Sequence, residues 1–293
     1  MTEIALEKLF RLEVEDSSDF GKEVALKELR ETPKNVLTGL KRLKHLLENE
    51  TNIPKDMPKN NEIWLMNFLR LCKFYPESAK EKILCHLELK KKFSNFLKNS
   101  QIIDLKDPKA KNSFYVLKQR DQLGRRVIIQ KIEYWKTSAV DKYELFCTFD
   151  AIINTLRLEP DTQINGIVAI MDMKNMSFSQ ILQMTPNFAK TLTDYLYAYL
   201  PLRLKAYHII NNPAIAQPFI KLAIQLLNEK YRQRALVHGK DMKKLHRHIA
   251  VDCLPECYGG CGKDVEVESS ELFDIAKVYA NDFKTFQECE RID

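Results

Sequence analysis

The sequence predicts an α/β fold in which an all-helical N-terminal domain precedes a domain with a mostly parallel sheet and flanking helices. Three observations carry this reading. In the first hundred residues apolar positions recur at helical spacing, as in Val36, Leu37, Leu40, Leu43 and Leu47. Beyond about residue 110 short strands alternate with helices. The strand over 166–171 is continuously apolar, as expected for a strand covered on both faces. At 293 residues the chain is long enough for one large core or two smaller ones. The change of period places the N-terminal helical domain at 1–100 and the second domain at 101–293.

Each element has a local cause. Thr32-Pro33 reads as a cap followed by proline at the first helical position. The stretch 51–60, with Pro54 and Pro58, reads as a linker, and 62–74 and 77–98 as two more helices, the second opened by Pro76. Lys90-Lys91-Lys92 is a solvated face. Strands over 114–118 and 127–132 flank Asp121-Gln122-Leu123-Gly124, a hairpin turn. A helix over 143–158 aligns Phe146, Phe149, Ile153 and Leu156, and one over 186–199 aligns Phe188, Leu192, Tyr195, Leu196 and Tyr199. A strand over 206–210, a helix over 214–232 and a strand over 235–237 follow.

The helix over 214–232 is unusually apolar. Ile215, Phe219, Leu222 and Leu226 form a stripe that Ala216, Ala223 and Leu227 widen, and dense charge appears only at its end, as Lys230, Arg232 and Arg234. Such a helix must cover a core, a lipophilic ligand or a membrane. Asn211-Asn212-Pro213 and Pro218 near its start suit a hinge. Met171, Met173, Met176 and Met184 cluster about the central strand. Methionine adapts to irregular apolar shapes, so a pocket and a Met-rich core both fit.

Other function classes find little support. Lys+Arg 46 against Asp+Glu 40 gives +6, too mild to argue for nucleic acid but suited to transient contact with anionic headgroups. MTEIALEKLF lacks a secretion signal, no run approaches the ~20 apolar residues of a spanning helix, and ECERID fits neither a prenylation box nor a peroxisomal tripeptide. Seven cysteines with no signal point to free thiols in a reducing cytoplasm. There is no G-x-S-x-G, H-E-x-x-H or Walker loop. Gly259-Gly260-Cys261-Gly262-Lys263 lacks the glycine spacing of a phosphate loop and is followed by Asp264. Cys253, Cys257 and Cys261 are interrupted by Pro255 and Gly259-Gly260, and His246-Arg247-His248 lies among lysines that repel a metal. His208 reads as a core histidine. No catalytic residue is expected, and the chain reads as a non-enzyme.

In order along the chain come a strand with His208-Ile209-Ile210-Asn211-x-Pro213, the apolar helix, Lys230-x-x-x-Arg234, His238-Gly239 and Leu254-Pro255-x-x-Tyr258-Gly259-Gly260. This arrangement resembles the CRAL-TRIO (Sec14-like) lipid-binding family, most closely the branch of tocopherol-transfer and retinaldehyde-binding proteins. The likeness runs from about Asn61 to the C-terminus. It implies a monomeric cytoplasmic carrier, peripherally associated with membranes, that holds a hydrophobic lipid (tocopherol, retinoid, carotenoid or sterol-like) and needs no cofactor. A lipid would lie between the sheet and a mobile lid over 211–234. The implied pocket comprises Phe146, Phe149, Ile153, Met171, Met176, Phe178, Leu192, Leu196, Leu202, Ala216, Phe219, Leu222 and Leu226. Phe149 and Ile153 stand where the tocopherol branch has small hydroxyl residues, which implies a drier, narrower cavity. Arg203, Lys205, Lys230 and Arg234 would form a cleft for phosphoinositide headgroups. The branch's Phe-Leu-Arg-x-Arg element is here Phe68-Leu69-Arg70-Leu71-Cys72, without its second arginine, and Lys73 points elsewhere in a regular helix. Phospholipid exchange of the Sec14 type, or a ligand-free adaptor docking through the helical N-terminus, remain the alternatives.

Overall fold

Side-chain caps set most helix starts in the computed structural model, which describes residues 10–51, 53, 59–97, 111–262 and 266–290. Helix α1 (Asp19–Leu29) begins where Ser18 Oγ accepts from Gly21 N at 3.0 Å. Helix α2 (Pro33–Glu48) begins at the expected Thr32-Pro33 pair, Thr32 Oγ1 accepting from Asn35 N at 3.1 Å. Asn61 caps α3 (Glu62–Leu71), and α4 (Pro76–Leu97) opens at its proline. These helices bury Leu29, Leu43, Leu47, Trp64, Phe68 and Ile83 in one core, which Ile164, Phe286 and Cys289 from later in the chain also join. Most of the expected linker, and the boundary drawn at residue 100, lie outside the described residues.

The third helix is shorter than its apolar pattern implies. It stops at Leu71 because Lys73 and Phe74 both adopt left-handed backbone (φ 55°), and Phe74 N returns to Leu69 O at 2.7 Å. That turn swings the chain into α4.

Strands β1 (Phe114–Leu117) and β2 (Arg126–Lys131) pair antiparallel about the expected turn. Gly124 sits there at φ 70°, and a side chain at that position would meet Asn165 and Phe20 at under 3 Å. Then follow α5 (Lys142–Leu156), α6 (Pro160–Asn165), β3 (Ile167–Asp172), α7 (Phe178–Leu182) and α8 (Pro186–Asp194). The chain continues through β4 (Leu204–Ile210), α9 (Gln217–Leu226), α10 (Glu229–Arg232), β5 (Ala235–Gly239) and α11 (Met242–His246). It ends with β6 (Glu266–Glu268), α12 (Ser269–Lys277) and α13 (Ala280–Cys289). The strand order is β5-β4-β3-β2-β1-β6, parallel from β2 to β5 and antiparallel at β1 and β6.

Two expected helices are interrupted. After α8 the chain widens into a π turn over Tyr195–Tyr199, and Leu200 N closes on Tyr195 O at 2.9 Å. The helix expected over 214–232 is three pieces: a 3₁₀ turn Ala214–Ala216, then α9, then α10. Leu227 is extended (ψ 147°) because Asn228 behaves as a fresh cap, its Oδ1 accepting from Tyr231 N at 3.1 Å.

Strand alternation splits the sheet into two faces. Val127, Ile129, Val168, Ile170, Ala206 and Ile210 pack on Leu245, Ile249, Leu254 and Tyr258. His208 is fully buried in β4, and its Nδ1 lies 2.8 Å from Nε2 of His238. The opposite face, with Ile128, Ala169 and Ile209, packs against α5 and the α8 segment.

Buried charges pin the two cores together. Glu290, just past α13, accepts from Arg157 NH2 (2.7 Å), Trp64 Nε1 (3.0 Å) and Lys90 Nζ (3.0 Å), and His86 Nε2 lies 3.3 Å away. Burial opposes its ionisation, but Arg157, Lys90 and His86 hold the carboxyl well below its usual range. Glu159, also fully buried, accepts from Arg126 at 2.6 and 3.0 Å and from Arg120 at 3.0 Å.

Candidate functional site

Between the β2–β4 face and the helices α5, α8 and α9 the packing leaves an apolar cavity of two adjoining chambers. The sheet supplies its floor by alternation: Ile128 and Gln130 from β2, Ala169 and Met171 from β3, Tyr207 and Ile209 from β4. Phe146 and Phe149 of α5 wall the first chamber together with Trp135. Ile220, Ala223 and Ile224 of α9 roof the second, and Tyr231 and Arg234 stand at its far end. Met171, Met184, Leu192, Leu196, Tyr207 and Phe219 face both chambers. Phe219 stacks on Phe188 with ring centroids 6.1 Å apart, joining α9 to α8.

Of the residues assigned to a pocket by resemblance, Phe146, Phe149, Met171, Leu192, Leu196 and Phe219 line this cavity. Ile153 and Leu202 are buried in the surrounding core, as is Ala216 in the turn before α9, and Met176 is half-buried against that core. Phe178 stands outside, 65 % exposed, because the inward residue of α7 is Gln180, which donates to Ile132 O and Trp135 O at 2.7 and 2.6 Å. On α9 the inward face is Phe219, Ile220, Ala223, Ile224 and, just past its end, Leu227. Leu222 is half-buried, while Ile215 and Leu226 are exposed. Gln217, Lys221 and Gln225 take one stripe of the helix and leave a wide apolar arc, within which periodicity does not choose the inner face. Tyr207 and Gln130 were not anticipated. Strand alternation carries their signal, but only once the register of three strands is known.

The four cations of the expected cleft do gather in one place. Arg203 NH2 and Lys205 Nζ both donate to Glu28 Oε2, at 3.0 and 2.9 Å, and Arg203 also bonds to Ile164 O. Burial works against the Glu28 carboxylate, yet Lys205 and Arg203 together keep its pKa below normal. Lys230 and Arg234 have no carboxylate partner among the described residues. Burial, then the proximity of Arg234 and Arg203, lowers the pKa of Lys230. Lys73 also acts on Lys230, because the irregular turn after α3 redirects it from the course a regular helix would give. Cys72 lies near Lys82 and Lys230, and burial pushes its thiol up to about 11. Arg70 is committed elsewhere, to Glu31 (2.7 Å) and Gln163 (2.8 Å).

Among the described residues no His/Cys/Asp/Glu group has metal-binding geometry, and no helix is long and apolar enough to cross a membrane.

Residues 110–260 match the CRAL/TRIO domain. The chain is 27% identical over 242 residues to a Homo sapiens protein named alpha-tocopherol transfer protein-like, covering 83% of this chain and 70% of that protein. It is 25% identical over 243 residues to clavesin-1 of Rattus norvegicus, covering 81% and 67% respectively. A crystal structure of Sfh5 aligns with 91% of this chain and 99% of its own, at 17% identity and a TM-score of 0.47.

Proposed function

Because the chain belongs to the CRAL/TRIO domain family, we propose that it is a non-enzymatic lipid carrier that shields a hydrophobic ligand under α9 and delivers it to membranes. The observation that carries this reading is the apolar cavity whose roof is one short helix. The relatives named for tocopherol transfer support it by similarity. Burying a ligand is worth about 25 cal/mol per Å² of apolar surface, so a lipid-sized cargo would hold α9 closed.

Release in this reading begins at α9. The helix is bounded by Pro213 and the extended Leu227, which suits it to move as a lid. Leu226 (47 %) on its outer side and Ile215 (57 %) in the turn before it are exposed, residues able to enter a bilayer interface. Lys230 and Arg234 stand beside it, and each basic residue near an anionic surface adds about 1 kcal/mol. Arg203 and Lys205 would join a phosphorylated headgroup only in competition with Glu28. We therefore expect phosphoinositide contact to be modest and salt-sensitive, even with Lys73 near the place of the absent arginine.

Uptake of a fluorescent lipid from vesicles tests the carrier reading. Leu196→Arg, which puts a charge into both chambers, should abolish uptake, with melting measured in parallel because a buried charge can itself unfold a domain. Undiminished uptake by the folded variant would remove the cavity from the function.

A further inference from the structure

The segment over 211–234 hangs from two neighbouring strands, and those strands share one side-chain bond on the sheet face away from the cavity. Strand β4 ends at Ile210, where the segment leaves the sheet, and β5 begins at Ala235, where it returns. His208 Nδ1 of β4 lies 2.8 Å from His238 Nε2 of β5, with the two rings stacked at 5.1 Å. Both residues are buried, and His208 Nε2 has no hydrogen-bond partner. His238 takes a bulged position, for Val237 pairs with Ile209 and Gly239 with Ile210. Strand β5 is the outer strand of the sheet, so it can part from β4 without breaking a ladder on its other side. Ala235, at its start, lines the second chamber.

The surroundings of the pair disfavour charge. His248, exposed just past α11, sets its ring 5.3 Å from that of His208 and 5.7 Å from that of His238. Arg125 approaches from the β1–β2 turn, where it donates to Asp121 Oδ2 at 2.5 Å. Lys244 of α11 acts on His238, as does Asp241, which caps that helix by accepting from Lys243 N at 3.1 Å. Beside His208 itself, β3 presents Ile170 and β5 presents Leu236. Among the described residues no carboxylate bonds to either ring. Burial, reinforced by His238, His248 and Arg125, holds His208 down to about 3. Burial, with His248 and Lys244, also lowers His238, and Asp241 offsets this only in part. The closed pair is therefore neutral, one ring donating to the other. With both rings protonated, both facing nitrogens would carry hydrogen and the bond would be lost.

We propose that the His208–His238 pair is a proton-operated latch on the lid. Acidification separates β5 from β4, frees both ends of 211–234 and opens the second chamber, so that cargo leaves faster. This adds a trigger to the carrier reading and rests on it. The sign follows from linkage. The closed latch excludes protons and the open one binds them, each freed imidazole titrating near its ordinary value of 6.5. Opening is then insensitive to pH above that value and grows as pH falls below it. Each imidazole that is neutral when closed and solvated when open contributes up to about tenfold per pH unit.

Two measurements on the full chain test the latch. The first is the rate at which protein loaded with the neutral dye N-phenyl-1-naphthylamine loses it to excess phosphatidylcholine vesicles, from about pH 8 to 5, with circular dichroism confirming the fold. The second is amide hydrogen exchange of the dye-free protein, corrected for its intrinsic pH dependence. We expect dye loss to be constant above about pH 7 and to rise about fivefold or more between pH 6.5 and 5.5. Exchange over 204–239 should quicken in the same interval while 127–131 and 167–172 hold steady. His208→Gln with His238→Gln should flatten both responses. His238→Gln alone, a milder change at the sheet edge, should reduce the slope. Equal acid responses in wild type and variants, or uniform loosening of every strand, overturn the latch. Quickened exchange with dye loss that ignores pH also overturns it, and leaves the carrier reading in place. If folded protein takes up no dye at any pH, the carrier reading fails and the latch falls with it.

Discussion

Replacing one carboxylate at the C-terminal end should loosen the whole molecule. Glu290 is 3 % exposed and accepts from donors on α3, α4 and the end of α5: Trp64 at 3.0 Å, Lys90 at 3.0 Å and Arg157 at 2.7 Å. Arg157 is itself fully buried, its other fixed contacts being Asn154 Oδ1 at 3.0 Å and the ring of Phe286 at 4.1 Å. Glu290→Gln keeps the shape and one acceptor but leaves the guanidinium without its counter-charge. Removing one partner of a buried ion pair costs about 3–5 kcal/mol, and the retained amide oxygen argues for the lower end. At about 2–4 °C per kcal/mol for chains of this order, melting should fall by roughly 6–12 °C at pH 7. Circular dichroism melts of both proteins read this directly. The pH dependence has a definite sign. The folded-state carboxyl is held well below 4.5, so its contribution is complete above that value and is lost as pH falls further. The gap between wild type and Glu290→Gln should therefore be constant near neutrality and narrow below about pH 4.5. A melting difference under about 2 °C at pH 7 would refute the reasoning, because the cations would then be satisfied without the carboxylate.

Three further outcomes follow. Burial, reinforced by His238, His248 and Arg125, holds His208 down to about 3. Stability is therefore complete above the unfolded value of 6.5 and should fall below it by about 1.4 kcal/mol per pH unit. Urea titrations should show this fall between pH 6.5 and 5, and His208→Gln should flatten it; an equal slope in the variant would place the titration elsewhere. Glu28→Gln frees Arg203 and Lys205, so co-sedimentation with phosphoinositide vesicles should rise, while Lys230→Ala with Arg234→Ala should lower it. Indifference to all three substitutions would mean the cluster is ordinary surface. Ile215→Asp with Leu226→Asp should leave ligand uptake unchanged but slow transfer to vesicles severalfold, and equal transfer rates would show that α9 does not enter the bilayer interface.

Much of the fold could be read from short stretches because its causes are local. Thr32-Pro33 carries its own cap, Asp121 to Gly124 its own turn, and β3 announces double burial by being apolar throughout. What escaped depends on residues far apart in the chain. Strand β6 is three residues, Glu-Val-Glu, and exists only because β1, some 150 positions earlier, offers it an edge. The pairing of Arg203 and Lys205 with Glu28 spans 175 and 177 positions and engages two apparent surface cations with one carboxylate. Lys73 is redirected by two successive left-handed residues that no helical period announces. The site was legible to the same degree. The aromatic and methionine residues about the central strand carry its signature, whereas the inner face of α9 and the Gln130–Tyr207 pair required the register of the assembled sheet.

The central claim is that the cavity beneath α9 holds a lipid. Organic extraction of the protein purified in native form from cells that make it, followed by mass spectrometry of the extract, tests it most directly. The account predicts near-stoichiometric recovery of a hydrophobic lipid, and its loss from folded Leu196→Arg. Folded wild-type protein that yields no lipid, or yields the same lipid as Leu196→Arg, would contradict it.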